Sequence, residues 1–178
     1  GLLRHLLCLD RANGDVVWHR KIEPTLPEHK YQGEGSYHGY AASTPVTDGE
    51  RVYVFFGKSG VFCFDLNGEQ IWRTQVGEKT SGWGSGCSPL LYGGLVIINA
   101  SVESGSLRAL NKMTGDEVWQ AKGIGSAWNT PLLVPGRERT ELIVSISDHV
   151  VSLSPDSGEE FWRAEGVHRY VCPSVVCN

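Results

Sequence analysis

The sequence contains one hairpin-like segment four times, and this repeat constrains the fold more than any other feature. The copies read CLDRANGDVVW, CFDLNGEQIW, ALNKMTGDEVW and SLSPDSGEEFW. Each copy has a short apolar segment, a polar turn that ends in Gly, and a second segment with Trp at the fourth position after that Gly. The glycines are Gly14, Gly68, Gly115 and Gly158, and the tryptophans are Trp18, Trp72, Trp119 and Trp162. Two short apolar segments around a Gly turn predict a β-hairpin in every copy.

The turn of the first copy contains Asn13 and Gly14. Asn-Gly between two apolar segments predicts a type I′ turn, in which both central residues have positive φ. The third residue of the motif varies among Asp10, Asp65, Asn111 and Ser154, and no structural role is predicted for it.

Between the hairpins, short apolar segments alternate with Gly-containing turns, which predicts four strands in each repeat. Pro45, Pro89 and Pro131 mark the first strand of successive units, at intervals of 44 and 42 residues. A four-stranded unit at this interval is typical of a β-propeller blade. We therefore predict an all-β fold, a partial β-propeller of about three and a half antiparallel blades. The expected boundaries are residues 1–22 for a half blade, 41–76, 86–122 and 127–165 for full blades, and 171–178 for the first strand of the next blade.

So few blades are at or below the smallest closed ring, so we expect a segment of a larger propeller with roughly seven or eight blades. Apolar faces at both ends would then bind the remaining blades of the parent or cause self-association. A Trp on the fourth strand can bridge to the adjacent blade. Replacing Trp72 or Trp119 with Ala would then cost about 3 to 5 kcal/mol.

Composition and charge exclude several classes of function. The net charge is -4 without a block of either sign, which argues against nucleic-acid binding. No apolar run approaches the roughly 20 residues of a transmembrane helix. The five cysteines lack CxxC spacing. In the aligned repeats Cys8, Cys63, Cys87 and Cys172 occupy positions that small residues fill elsewhere, so they indicate packing rather than chemistry, and Cys177 is uninformative. We predict no catalytic, cofactor-binding or metal-binding residues.

The residues just ahead of each innermost strand would surround the entrance of the propeller channel. Aromatic rings with one cation and two imidazoles make a candidate rim for a small ligand or a peptide. Alternatively, these side chains fill the channel and pack against one another. The candidate rim residues are Tyr37, His38, Tyr40, Trp83, Trp128, His168, Arg169 and Tyr170.

The segments ALNKMTGDEVW and CLDRANGDVVW resemble the tryptophan-docking repeat of PQQ-like β-propellers, a family with BamB-like and quinoprotein-like members. The resemblance covers nearly the whole chain. It implies a non-catalytic scaffold for protein or ligand interaction, exported to the periplasm or cell exterior. Two alternatives stay open, a quinoprotein dehydrogenase and the sensor domain of a receptor or kinase. Quinoprotein enzymes would hold PQQ beside Ca²⁺ and have a disulfide between adjacent cysteines, but no two cysteines are adjacent here.

Overall fold

The computed structural model describes residues 3–27, 42–81, 83–125, 127–169 and 171–177. Regular structure in these ranges is almost entirely β-strand, arranged as one two-stranded and three four-stranded antiparallel sheets. The first sheet contains β1 (Arg4–Leu9) and β2 (Val16–Ile22), and the second contains β3 (Val46–Thr47), β4 (Arg51–Phe55), β5 (Val61–Asp65) and β6 (Gln70–Thr74). The third contains β7 (Leu90–Tyr92), β8 (Leu95–Ala100), β9 (Ser106–Asn111) and β10 (Glu117–Lys122). The fourth contains β11 (Leu132–Pro135), β12 (Thr140–Ile146), β13 (His149–Leu153) and β14 (Glu160–Glu165).

The strand order within each sheet follows the chain, which confirms the predicted all-β fold of four-stranded antiparallel units. The connection between the second and third strands is a 3₁₀ turn (Gly57–Ser59) in the second sheet and a helical turn, α1 (Ser101–Ser104), in the third. The innermost strands are shorter than the sequence suggested, and each begins after the proline that marks it. Residues 171–177 make one parallel bridge, from Val171 to Ala127. They have no second strand beside them within the described residues.

Apolar layers fill the space between successive sheets. Leu6 and Ile22 of the first sheet pack with Phe62 and Phe64 of the second. The neighbouring residues Ile97 and Ile98 of β8 are both fully buried but belong to different layers, since Ile97 packs toward the fourth sheet and Ile98 toward the second. A central sheet is therefore covered on both faces. This explains why its strands are apolar at nearly every position rather than at every other one.

The hairpin turns differ from the predicted type I′ geometry. Gly14 has φ of +80°, but among the described non-glycine residues only Asp148 and Arg169 have positive φ, so the type I′ prediction for Asn13 is wrong. The amide of Gly14 instead donates to the carbonyl of Asp10 at 2.8 Å and closes a wider turn. All four hairpins have a register shift next to this turn. Such a bulge changes the direction in which the following side chains point.

The variable third residue of the motif has a structural role that the sequence reading missed. The Asp10 Oδ1 atom accepts the backbone N–H of Ala12 at 2.8 Å, and the Asn111 Oδ1 atom accepts that of Met113 at 2.8 Å. Asp65 and Ser154 accept backbone N–H groups of their own turns in the same way. Asp, Asn and Ser each have a short side chain with an oxygen that can accept a backbone N–H group two or three residues further along the turn. They are therefore interchangeable as turn caps.

The tryptophan of one sheet lies against the turn glycine of the next. A Cβ atom built on Gly115 would lie 2.7 Å from the Trp72 ring, which is closer than real side chains pack. The corresponding distances are 2.8 Å for Gly68 and Trp18 and 2.5 Å for Gly158 and Trp119. Only a residue without a side chain allows the indole to approach this closely.

The indole N–H groups are satisfied across the same interface. Trp72 Nε1 donates to the carbonyl of Lys112 at 3.1 Å, and Trp119 Nε1 donates to that of Pro155 at 3.0 Å. Trp18 Nε1 donates to the carbonyl of Leu66 at 2.8 Å. Trp162 is different, because its ring is 38% exposed and its N–H donates to Glu141 within the same sheet.

The first and third turn glycines provide a matched test of this packing. Gly14 and Gly115 have nearly the same φ, +80° and +79°, but a Cβ on Gly14 would meet nothing within 4 Å. Both Ala substitutions therefore strain the backbone by about 1 kcal/mol, and only Gly115→Ala also displaces Trp72, at an additional cost of about 1 to 3 kcal/mol. We expect urea unfolding followed by circular dichroism to show the larger loss for Gly115→Ala. Equal losses would contradict the packing role of the glycine.

Candidate binding site at the channel rim

The connectivity of each sheet separates two sets of loops. In a four-stranded antiparallel sheet in chain order, the connection between the second and third strands lies at the same end as the link to the next sheet. Hydrogen bonds confirm this placement. The amide of Lys79, in the link after β6, donates to the carbonyl of Glu103 in α1 at 3.2 Å. The amide of Gly166, after β14, donates to the carbonyl of Asp148, between β12 and β13, at 2.8 Å. The loops that lead from one sheet to the next, the rim loops, therefore lie at the same end as α1. The turns that contact the tryptophans lie at the other end.

Two of the predicted rim residues, Trp83 and Trp128, come together in the structure. They line an apolar pocket of about 170 Å³, whose other lining residues are Ala42, Ser85, Gly86 and Cys172. Trp128 Nε1 donates to the carbonyl of Gly84 at 2.9 Å, which ties the two rim loops to each other. The Trp83 side chain is 43% exposed, so one wall of the pocket faces solvent.

The remaining rim predictions have different outcomes. His168 Nδ1 forms an exposed hydrogen bond with Asp148 Oδ1, and this hydrogen bond lowers the pKa of the Asp148 carboxyl. Arg169 has φ of +60°. Neither His168 nor Arg169 is among the residues that line the pocket. Tyr37, His38, Tyr40 and Tyr170 lie outside the described residues.

A polar seam supports the loops beneath the pocket. The Ser43 hydroxyl donates to the carbonyl of Cys87 at 2.5 Å. The amide of Ser88 donates to the Thr130 hydroxyl at 2.9 Å, and the Asn129 side chain donates to the carbonyl of Ser145 at 2.6 Å. The first two bonds join the segments that lead into successive innermost strands, and the third ties the segment before β11 to β12 of the same sheet. They fix the two loops that provide the pocket walls.

The buried cysteines lie in surroundings that keep the thiol protonated. Burial raises the pKa of Cys63 to about 11, and it raises that of Cys87 further. A protonated, inaccessible thiol is a poor nucleophile and a poor metal ligand. The chain has no disulfide between its cysteines, and Cys172 and Cys177 are exposed.

Glu103, in α1, is a buried acid directly behind the pocket. Its side chain is 2% exposed, and the Ser85 hydroxyl that faces it donates to Glu103 Oε1. Burial raises the pKa of Glu103 to about 7, although the Ser85 hydrogen bond acts in the opposite direction. Sequence reasoning did not identify this residue, because Glu in a polar turn segment carries no sign of burial. Ser85 thus connects the pocket wall to a group that titrates near neutrality.

The raised pKa of Glu103 predicts a dependence of stability on pH. Between the ordinary value of 4.5 and about 7 the folded state keeps a proton that the unfolded state has lost, so stability falls as pH rises through this window. Glu103→Gln keeps the acceptor for Ser85 but removes the ionisation. We expect its free energy of unfolding to exceed that of the wild type at pH 8, by on the order of 2 to 3 kcal/mol, and to match it near pH 4. Urea unfolding across this range measures the effect, with Glu78→Gln, an exposed carboxylate, as the control for loss of charge. A difference that is the same at both pH values would contradict the assignment.

The described residues lack two structural features. They contain no group of three or more His, Cys, Asp or Glu side chains placed to hold a metal ion. They also contain no helix of the length and hydropathy needed to cross a bilayer.

Comparisons with known proteins agree with the geometry. The chain is 38% identical over 121 residues to outer membrane protein assembly factor BamB of Salmonella typhimurium. This alignment covers 65% of the chain and 31% of the Salmonella protein. It is 33% identical over 109 residues to BamB of Yersinia pestis. That alignment covers 58% of this chain and 27% of the Yersinia protein. The chain thus spans less than a third of the length of these curated relatives.

Solved structures show the same fold. The structure of BamB from Moraxella catarrhalis aligns with 92% of this chain over 59% of its own length, with a TM-score of 0.56 at 20% identity. The quinohemoprotein alcohol dehydrogenase from Comamonas testosteroni matches 90% of this chain and 32% of its own, with a TM-score of 0.63 at 15% identity. The family model described as outer membrane protein assembly factor BamB matches residues 4–166. With its repeated Gly–Trp hairpins and four-stranded antiparallel sheets, the chain belongs to this BamB family of PQQ-like β-propellers.

Proposed function

We propose that this chain is part of a non-catalytic β-propeller scaffold that binds a protein partner at the channel rim. The observation that carries the proposal is the apolar pocket between Trp83 and Trp128, with one indole exposed to solvent. An aromatic side chain beside an apolar pocket is the usual anchor of a protein interface.

The size of the pocket favours a side chain over a free small molecule. Its volume of about 170 Å³ is below the range of roughly 300 to 1,000 Å³ that is typical of ligand and cofactor sites. One aliphatic side chain, presented by an extended backbone, fits such a space. The hydrogen bonds of Trp128 and of the polar seam hold the walls in place, so little ordering entropy is lost on binding.

The partner follows from the relatives. These are named outer membrane protein assembly factors, so we extend the proposal to a periplasmic scaffold whose partners include segments of outer-membrane proteins. The strands of such proteins alternate apolar and polar residues. An extended segment of this kind presents apolar side chains at every second position, and one of them would enter the pocket.

The quinoprotein alternative rests on the fold alone, because the matching dehydrogenase is 15% identical to this chain. On that alternative, PQQ added with Ca²⁺ would bind the chain and change its absorbance spectrum. The interaction proposal makes no use of either group.

A peptide titration tests the proposal. The probe is a fluorescein-labelled ten-residue peptide with Leu and Thr in strict alternation, and fluorescence anisotropy measures its binding. We expect Trp83→Ala to weaken binding at least 10-fold, since an interface anchor contributes about 2 kcal/mol or more. Trp83 is partly exposed, so its replacement leaves the sheets intact.

The chain offers a matched control in Trp162, which is exposed to a similar extent but lies on β14, outside the pocket. Trp162→Ala is expected to leave the affinity for the peptide unchanged. Equal weakening by both substitutions, or failure of the wild type to bind the peptide, would overturn the proposal.

A further inference from the structure

Glu103 is a buried acid that the binding proposal leaves unused, although it lies directly behind the pocket. Its side chain is 2% exposed, and its Oε1 atom accepts the hydroxyl of Ser85, which lines the pocket. A single hydroxyl group therefore separates the buried carboxyl from solvent in an empty pocket.

Two glycines enclose the carboxyl on its other sides. A Cβ atom built on Gly57 would lie 2.4 Å from the Ser85 hydroxyl oxygen and 3.3 Å from Glu103 Oε1. A Cβ atom built on Gly77 would lie 2.8 Å from the Glu103 Cβ atom. Neither backbone leaves room for a methyl group, and a water molecule is about as large. Solvation of an ionised Glu103 therefore comes from the pocket side, through Ser85.

Glu103 forms no ion pair with any residue that the structure describes. Lys58, in the 3₁₀ turn beside it, directs its ammonium to a backbone carbonyl of the segment after β2. Glu78 and Lys79 of the link after β6 are exposed, and Lys79 contacts Glu103 through its backbone amide. Cys87 is also buried, and burial raises the pKa of its thiol. Without a paired cation, the charged form of Glu103 depends on Ser85 and on nearby solvent.

We propose that the pocket binds its apolar anchor together with a proton on Glu103, so that the partner is held more tightly at acidic than at mildly alkaline pH. This inference rests on the proposed function. An apolar side chain over Ser85 displaces the solvent nearest the carboxyl, which costs the ionised form more than the neutral form.

The sign of the pH dependence follows from this difference. Occupancy raises the pKa of Glu103 above its value in the free protein, which is about 7. Below that value Glu103 is protonated in both states, and the affinity is at its maximum. Between the free and bound values the complex takes up a proton that the free protein has lost, so the affinity falls as pH rises.

Peptide titrations across pH test the coupling. The probe is the alternating Leu and Thr peptide with a tetramethylrhodamine label and an amidated C-terminus, because none of these groups titrates between about pH 5 and about pH 8. We expect fluorescence anisotropy at constant ionic strength to show an affinity at least about 5-fold lower at the upper end of this range, which is a modest coupling between two sites. Isothermal titration calorimetry near neutral pH, in two buffers of different ionisation enthalpy, is expected to show proton uptake on binding.

Glu103→Gln is the decisive variant, because it keeps an acceptor for Ser85 and cannot ionise. We expect its affinity to stay constant over the whole range and its binding to take up no proton. Ser85→Ala removes a hydrogen bond that favours the charged form, so it is expected to move the fall in affinity to higher pH. Glu78→Gln removes an exposed carboxylate and is the control, which is expected to keep the wild-type profile. Cys172, the other titratable residue of the pocket, is unchanged in every variant, so its ionisation cannot cause a difference among them.

The outcomes separate this inference from the proposed function. Circular dichroism first checks that each variant is folded at each pH. Peptide binding with the same affinity at both ends of the pH range, or with an equal fall in Glu103→Gln, would overturn the coupling and leave the binding proposal intact. Absence of peptide binding at every pH would overturn both.

Discussion

The contact between an indole ring and the glycine turn of the neighbouring sheet is the interaction on which the rest of the structure depends. It combines a large apolar surface with one directional hydrogen bond, from the indole N–H to a turn carbonyl. The ring sets the distance between the sheets and the hydrogen bond sets their register. Because the same pair recurs at each interface, every sheet is placed relative to its neighbour in the same way.

The interface around Trp72 shows how other groups reinforce this contact. The Lys112 carbonyl that accepts the indole N–H also accepts the Tyr53 hydroxyl at 3.2 Å. The Lys112 ammonium lies 3.0 Å from Asp48 of the second sheet. Burial alone would raise the pKa of Asp48, but the Lys112 hydrogen bond and two backbone N–H groups lower it well below its ordinary value. A charged pair thus joins two sheets at the edge of the apolar layer.

The repeat also separates the tryptophan contacts between sheets from the apolar pocket. The turns that receive the tryptophans lie at one end of the sheets, and the loops that form the pocket lie at the other. Outside the hydrogen bonds of the polar seam, the rim loops can vary in length and sequence without disturbing the tryptophan contacts between sheets, as loops on a rigid scaffold commonly do. Glu103 is the exception, because it lies in the core of this end and contacts the pocket wall through Ser85.

Most of the fold could be predicted from the sequence, since the contacts that define it occur at fixed intervals along the chain. The repeated Gly and Trp positions indicated the hairpins, and the apolar middle strands indicated sheets covered on both faces. The type I′ prediction failed because the Asp10 side chain and carbonyl organise a wider turn around Asn13. The first strand of a further blade, predicted over residues 171–178, stays a prediction: Val171 forms one parallel bridge to Ala127, and pairing needs a second strand, which sequence pattern within that segment does not supply.

By itself, the sequence determined the architecture, because its period reports which residues meet across every interface. Only the tertiary structure decided which rim residues share a pocket and that Ser85 joins Glu103 to it. These pairs come from irregular loops. No periodic pattern encodes such contacts, since they depend on where each backbone segment ends and in which direction its side chains point.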